Sequence, residues 1–135
     1  MYRIIEAVKQ DGKETQSWYS FETEAEARVE YETKLGANMK TDIYSASLLA
    51  LVDNVGNVIC NKKIGEDALS PRLMEVKATS KEETSLTKYD TDNLVEANFH
   101  SKWGAAIKNS SVQSEMLLGF DGEGNAIVST YWVRN

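Results

Sequence analysis

Residues suited to chemistry are few in this chain. One histidine, His100, and one cysteine, Cys60, stand among 21 acidic and 15 basic residues. The nearest approach to a ligand set is Asp121, Glu123 and Asn125, at positions 1, 3 and 5 of a calcium-loop pattern. The pattern then fails, because glycine stands at position 4 and Trp132 at position 12, where a bidentate glutamate is required. The related stretch 53–57 fails likewise, with Ile64 at position 12. A zinc site takes about four ligands, and a single histidine without a cysteine cluster falls short of that. No metal or cofactor is expected. No serine sits in a nucleophile elbow, and no glycine-rich phosphate loop occurs, so no catalytic residue can be named.

Carboxylates and aromatics remain. Acidic residues cluster at Glu22, Glu24, Glu26, Glu30 and Glu32. Glu30 lies four before Lys34, a favourable helical pairing, so the run reads first as a solvated helix face. Its functional reading is an acidic surface for a basic partner. Trp18, Tyr131 and Trp132 fall on expected strands, where alternation sends some side chains outward as interface anchors. The competing role for them is packing at the junction between the two halves of the chain. The candidate interaction surface is therefore Glu24, Glu26, Glu30, Trp18, Tyr131 and Trp132.

The elements that position these residues come from a duplication. Tyr31 and Phe99, Lys34 and Lys102, Gly36 and Gly104, Lys40 and Lys108, Asp53 and Asp121, and Gly56 and Gly124 are each separated by 68 residues. A fixed period of this kind decides architecture before propensity does. Each copy reads as strand, strand, helix, strand, strand. In the first copy the strands are 2–9, 14–21, 43–52 and 58–64, and in the second 72–78, 83–89, a counterpart that includes 112–120, and 126–133. Asp11-Gly12 supplies hairpin chemistry. Thr23 with Glu26 forms a capping box, and Thr91 takes the cap position in the second copy. Ala27, Tyr31, Leu35 and Met39 recur as one helix face, as do Val95, Phe99, Trp103 and Ile107. Gly36 and Gly104 beside these large residues predict a close backbone approach. Lys34/Lys102 and Lys40/Lys108 are repeated without a folding need visible in the pattern.

The fold class expected is α+β, a tandem ββαββ unit. Each copy is a four-stranded antiparallel sheet with one helix on one face, and the two pack as a pseudo-two-fold pair. The copies are 1–64 and 72–135, with 65–71 as linker. A unit of about 60 residues is marginal alone, so a shared core is expected.

Composition narrows function further. The net charge is −6 and no basic stripe exists, which disfavours direct nucleic-acid binding and anionic membranes. No apolar run approaches the roughly 20 residues of a membrane span. No signal-peptide pattern opens the sequence, and an intramolecular disulfide is impossible with Cys60 alone, which fits a cytoplasmic protein. Cys60 itself, aligned with Val128, reads as a small buried apolar position. His100, aligned with Glu32, reads as a solvated helix position beside Phe99.

The run from Val95 to Lys108, with Phe99, Trp103 and Gly104, followed by Asp121-Gly122-Glu123-Gly124-Asn125, resembles small uncharacterised proteins of phages and prophages of Gram-positive bacteria. The first copy shows a looser version in residues 31–37, with Glu32 for His100 and Leu35 for Trp103. The resemblance implies a mobile-element origin and carries no assigned activity. The leading expectation is a non-enzymatic protein-interaction module acting on a host protein. A defence nuclease whose basic groove attracts an acidic inhibitor would suit, in the manner of an anti-CRISPR. The alternative is a phage structural or assembly component, with homo-oligomers allowed. An enzyme with no recognisable motif ranks third.

Overall fold

In the computed structural model, which describes residues 1–135, the ββαββ order forms twice. The first copy is β1 (Tyr2–Gln10), β2 (Lys13–Phe21), α1 (Glu24–Lys40), β3 (Ala46–Val52) and β4 (Val58–Ile64). The second is β5 (Arg72–Ala78), β6 (Glu82–Lys88), α2 (Asp92–Lys108), β7 (Ser114–Phe120) and β8 (Ala126–Val133). Two four-stranded sheets result, ordered β2-β1-β3-β4 and β6-β5-β7-β8, with every pairing antiparallel. A register shift follows Leu51 in β3 and Gly119 in β7, the same place in both copies.

Local chemistry explains the elements. Asp11 and Gly12 take φ of 52° and 78°, the left-handed pair that a tight hairpin needs. The Thr23 hydroxyl accepts the Glu26 N–H at 3.2 Å and donates to the Glu26 carboxylate at 2.8 Å. Thr91 accepts the Leu94 N–H at 3.1 Å. Lys40 and Lys108 lie in the last helical turns, where the helix dipole favours a cation. That is the folding use of one repeated lysine pair.

Three expectations are corrected. The third strand starts at Ala46 and not at residue 43, because residues 41–45 carry the chain from the α1 cap to the sheet, where the Ser45 N–H donates to the Lys9 carbonyl at 2.8 Å. The fourth residue of each helix face leaves the core. Met39 and Ile107 are exposed, and Ala106 is buried in place of Ile107. Steps of four residues drift about 40° each on a helix of 3.6 residues per turn, so after three steps the side chain has turned aside. Gly36 and Gly104 meet no close neighbour, since a Cβ on either would touch nothing within 4 Å. The close helix-to-sheet approach lies at Gly119 instead, where a Cβ would come within 2.6 Å of Val95 Cγ1.

The chain divides into two compact units, and their composition does not follow the repeats. Unit 1 comprises Met1–Asn54, Val58–Leu69 and Gly122–Asn125, and unit 2 comprises Val55–Asn57, Ser70–Asp121 and Ala126–Asn135. The tip of each last hairpin thus belongs to the unit built by the other copy. In unit 1 the tip is held by Asn61, whose side-chain amide donates to the Glu123 carbonyl at 3.0 Å. Gly124, at φ +85°, lies against Leu48, leaving no room for a side chain. In unit 2 the Ser129 hydroxyl donates to the Gly56 carbonyl at 2.7 Å, and Gly56 has φ +89° with Met116 beneath it. Both glycines serve the same double need, a left-handed backbone and a close approach.

The core of unit 1 gathers Ile4, Ala27, Tyr31, Leu49 and Leu51 under α1. Ala7, Ala46, Leu48 and Leu69 form a second cluster. Residues 65–71 are therefore anchored through Leu69, and Asp67 is tied to Ser45 at 2.9 Å and to Lys9 at 3.4 Å. The core of unit 2 gathers Leu73, Val95, Phe99 and Leu117 under α2.

Candidate functional site

The register of unit 2 lines up charges on the face that carries α2. Lys77 of β5 sits opposite Glu83 of β6 on one side and Glu115 of β7 on the other, and Glu115 sits opposite Trp132 of β8. One row of the sheet thus reads Glu83, Lys77, Glu115, Trp132. Glu75 lies in the next row toward Leu73, opposite Ser85 and Leu117. Lys102 reaches down from α2 to Glu75 Oε1 at 3.4 Å, and Lys77 approaches Glu75 Oε2 at 3.8 Å.

Burial makes this arrangement unusual. Glu115 is 0 % exposed and Glu75 is 8 % exposed. Both Glu115 oxygens and Glu75 Oε2 are shut from solvent without a hydrogen-bond partner among ordinary donors. Burial pushes the Glu115 carboxyl up to about 9, and the neighbouring Glu75 carboxylate adds to the rise. Burial works against ionisation of Glu75 as well. The hydrogen bond from Glu115 and the charges of Lys102 and Lys77 outweigh it and hold Glu75 below the usual carboxylate range. The two carboxyls are thus pushed in opposite directions. A cavity of about 120 Å³, lined by Glu75, Lys77, Glu83, Thr84 and Ser85, opens beside the pair.

The first copy carries a simpler version. Lys34 of α1 reaches Glu6 Oε1 at 3.7 Å, and the Asn38 side-chain amide donates to Glu6 Oε2 at 3.1 Å. Lys34 also lies 4.1 Å from the Tyr19 ring centroid. The repeated lysines Lys34 and Lys102 thus have one structural use, pairing with a strand glutamate under the helix. Ala106 replaces Asn38, Glu115 replaces Ser47 and Lys77 replaces Val8 in the second copy.

Sequence pattern alone passed over Glu75 and Glu115. The available signal is parity. Glu75 alternates with Leu73, and Glu115 with Leu117, so each is a charge on an apolar face. Arg3 and Arg72, matched at the starts of β1 and β5, were likewise passed over and are buried. Arg72 donates to the Ser70 carbonyl at 2.9 Å. Arg134 is a further such residue. It donates to the carbonyls of Val112, Ala106, Ile107 and Asn109 at 2.8 to 3.3 Å, closing the C-terminal end of α2, and stacks on Trp132 at 4.6 Å.

The residues of the expected interaction surface divide between the two units and, within each unit, between the two sheet faces. Glu24, Glu26 and Glu30 lie on α1, where Glu24 pairs with Arg28 at 2.7 Å and Glu30 with Lys34 at 3.9 Å. Trp18 is opposite Ile5 in the register, on the sheet face that points away from α1. Tyr131 is opposite Met116, away from α2, whereas Trp132 shares the α2 side and meets Trp103 edge-on at 5.9 Å. Cys60 is half-buried and not fully so, because it packs at the margin of the unit 1 core next to Tyr31. His100 is exposed, with its ring edge-on to Phe99 at 5.1 Å. No group of three or more His, Cys, Asp and Glu residues is placed to hold a metal ion, and no helix is long and apolar enough to cross a membrane. Against known proteins, no family model, curated sequence or solved structure matches this chain.

Proposed function

We propose that this protein is a non-enzymatic protein-binding module whose docking surface is the β8 edge of unit 2. One difference between the units carries the reading. In unit 1 the hairpin tip brings Glu123 to Lys63 of β4, 3.8 Å apart, with the Lys63 side chain only 11 % exposed. The aligned positions in unit 2 are Val55 and Tyr131, which are 37 % and 46 % exposed. Val133, two residues on along the same face of β8, is 49 % exposed. An ion pair that keeps one edge polar is thus replaced by Val55 in a hairpin tip and Tyr131 on the edge strand β8. Exposed aromatics of this kind anchor protein interfaces, and the open backbone of an edge strand adds main-chain donors and acceptors.

The occupant on this reading is a host protein, in keeping with the phage resemblance. A nuclease with a basic groove suits the net charge of −6. The test restores the unit 1 pair in unit 2 with the double variant Val55→Glu/Tyr131→Lys. Unaltered protein used as bait in host lysate should capture one stoichiometric protein, and the folded double variant should lose it. Equal capture by both would remove unit 2 as the docking surface. Recovery of virion proteins or copies of the same chain would favour the assembly role.

A further inference from the structure

We propose that Glu75 and Glu115 form a buried proton-binding site, in which one proton is shared between two carboxyl groups beneath α2, and that folding of the chain is coupled to uptake of that proton. Two lysines stand near two glutamates, so the charges alone would balance with both carboxyls ionised. Position decides otherwise, because both ammonium groups serve Glu75: Lys102 at Oε1 and Lys77 at Oε2. No ion pair reaches Glu115, and neither of its oxygens has a donor or solvent. An ionised Glu115 would be a buried charge without a direct partner, and burial beside Glu75 outweighs the more distant pull of Lys77 and Lys102, so the proton is kept. A protonated Glu115 donates to Glu75, and no buried charge is left without a partner.

The surrounding elements leave this balance intact. From β6, Glu83 adds a negative charge across from Lys77, and it is exposed and within 3.8 Å of Lys81. From β8, Trp132 offers no charge at the position opposite Glu115, and Arg134 is spent on the α2 carbonyls. From α2 only Lys102 reaches the pair. The raised value for Glu115 agrees with the geometry.

The unfolded chain gives up this proton near the ordinary glutamate range, so between about pH 5 and 8 the folded state holds one proton more. The equilibrium constant for unfolding should therefore rise about tenfold per pH unit in that window from this site alone. The decisive measurement is proton release on denaturant-induced unfolding at pH 7.5, read with an indicator dye in weak buffer. The unaltered protein should release about one proton more than Glu115→Gln. Carbon-13 NMR of the glutamate side-chain carboxyls in the intact protein gives a second readout that needs no substitution. A protonated carboxyl on Glu115 or Glu75 at pH 7 supports the site. Equal proton release by protein and variant, or two ionised carboxyls at pH 7, overturns it. Should Glu115→Gln fail to fold, the NMR titration decides alone.

Discussion

Unit 1 and unit 2 place a lysine from the helix over a glutamate on the first strand, and then close the site in opposite ways. In unit 1, Asn38 donates to the remaining Glu6 oxygen, and Ser47 occupies the β3 position. In unit 2, Ala106 takes the amide away and Glu115 adds a second carboxyl, fully buried. The same backbone therefore holds one carboxyl with its lysine in one unit and two neighbouring buried carboxyls in the other. The glutamate–lysine pair belongs to the scaffold, and the second carboxyl is an addition that stability alone does not explain, because a buried ionisable group costs free energy at neutral pH.

The sharpest way to break the comparison is to give unit 1 the second carboxyl. Ser47→Glu should lower stability by about 4 kcal/mol at pH 8, since the Lys77 position is Val8 there and no further lysine assists. Urea unfolding at pH 5 and pH 8 should show the loss growing with pH. Glu115→Gln makes unit 2 resemble unit 1 and should stabilise it. Below about pH 4.5 both folded and unfolded Glu115 are protonated and the gain is absent. It grows as pH rises and levels off near pH 9, reaching about 3 kcal/mol at pH 7. Arg134→Ala removes the carbonyl cap on α2 that α1 lacks, because Glu66 stands at the matching position. A loss of about 2 kcal/mol is expected, seen as a lower thermal midpoint and faster amide exchange in the last turn of α2. Smallest of all, Gly36→Ala and Gly104→Ala should each stabilise by about 1 kcal/mol or less, equally in the two units, because neither glycine is crowded. A loss at either position would restore the close approach that the helix pattern implies.

The sequence was legible where structure is local. The duplication, the Thr23 and Thr91 caps, the Asp11-Gly12 turn and the strands β4, β5 and β8 could all be read from neighbours a few residues apart. Gly36 and Gly104 misled because a glycine in a helix reports a missing side chain and not what approaches it. Glu115 escaped because β7 is buried on both faces, so alternation does not single out a charge there. The face that each of Trp18, Tyr131 and Trp132 takes in its own sheet follows from parity in the register, which a list of aromatics does not contain. The destination of the hairpin tips was the least legible feature. Residues 53–57 and 121–125 specify a turn, but nothing in five residues says which body the turn will join.

That destination has an evolutionary consequence. A duplicated segment ordinarily leaves a spare copy that can drift or be lost. Here each copy has lent its turn to the other's unit, so deletion of either repeat also removes three or four residues from the unit that remains. Substitutions at Glu123 are judged by Lys63 of the first copy, and those at Gly56 by Ser129 of the second. The two copies are inherited as one indivisible gene product. The difference between them, polar at one edge and apolar at the other, lies in two residue pairs, Lys63 with Glu123 and Val55 with Tyr131, each drawn from both copies.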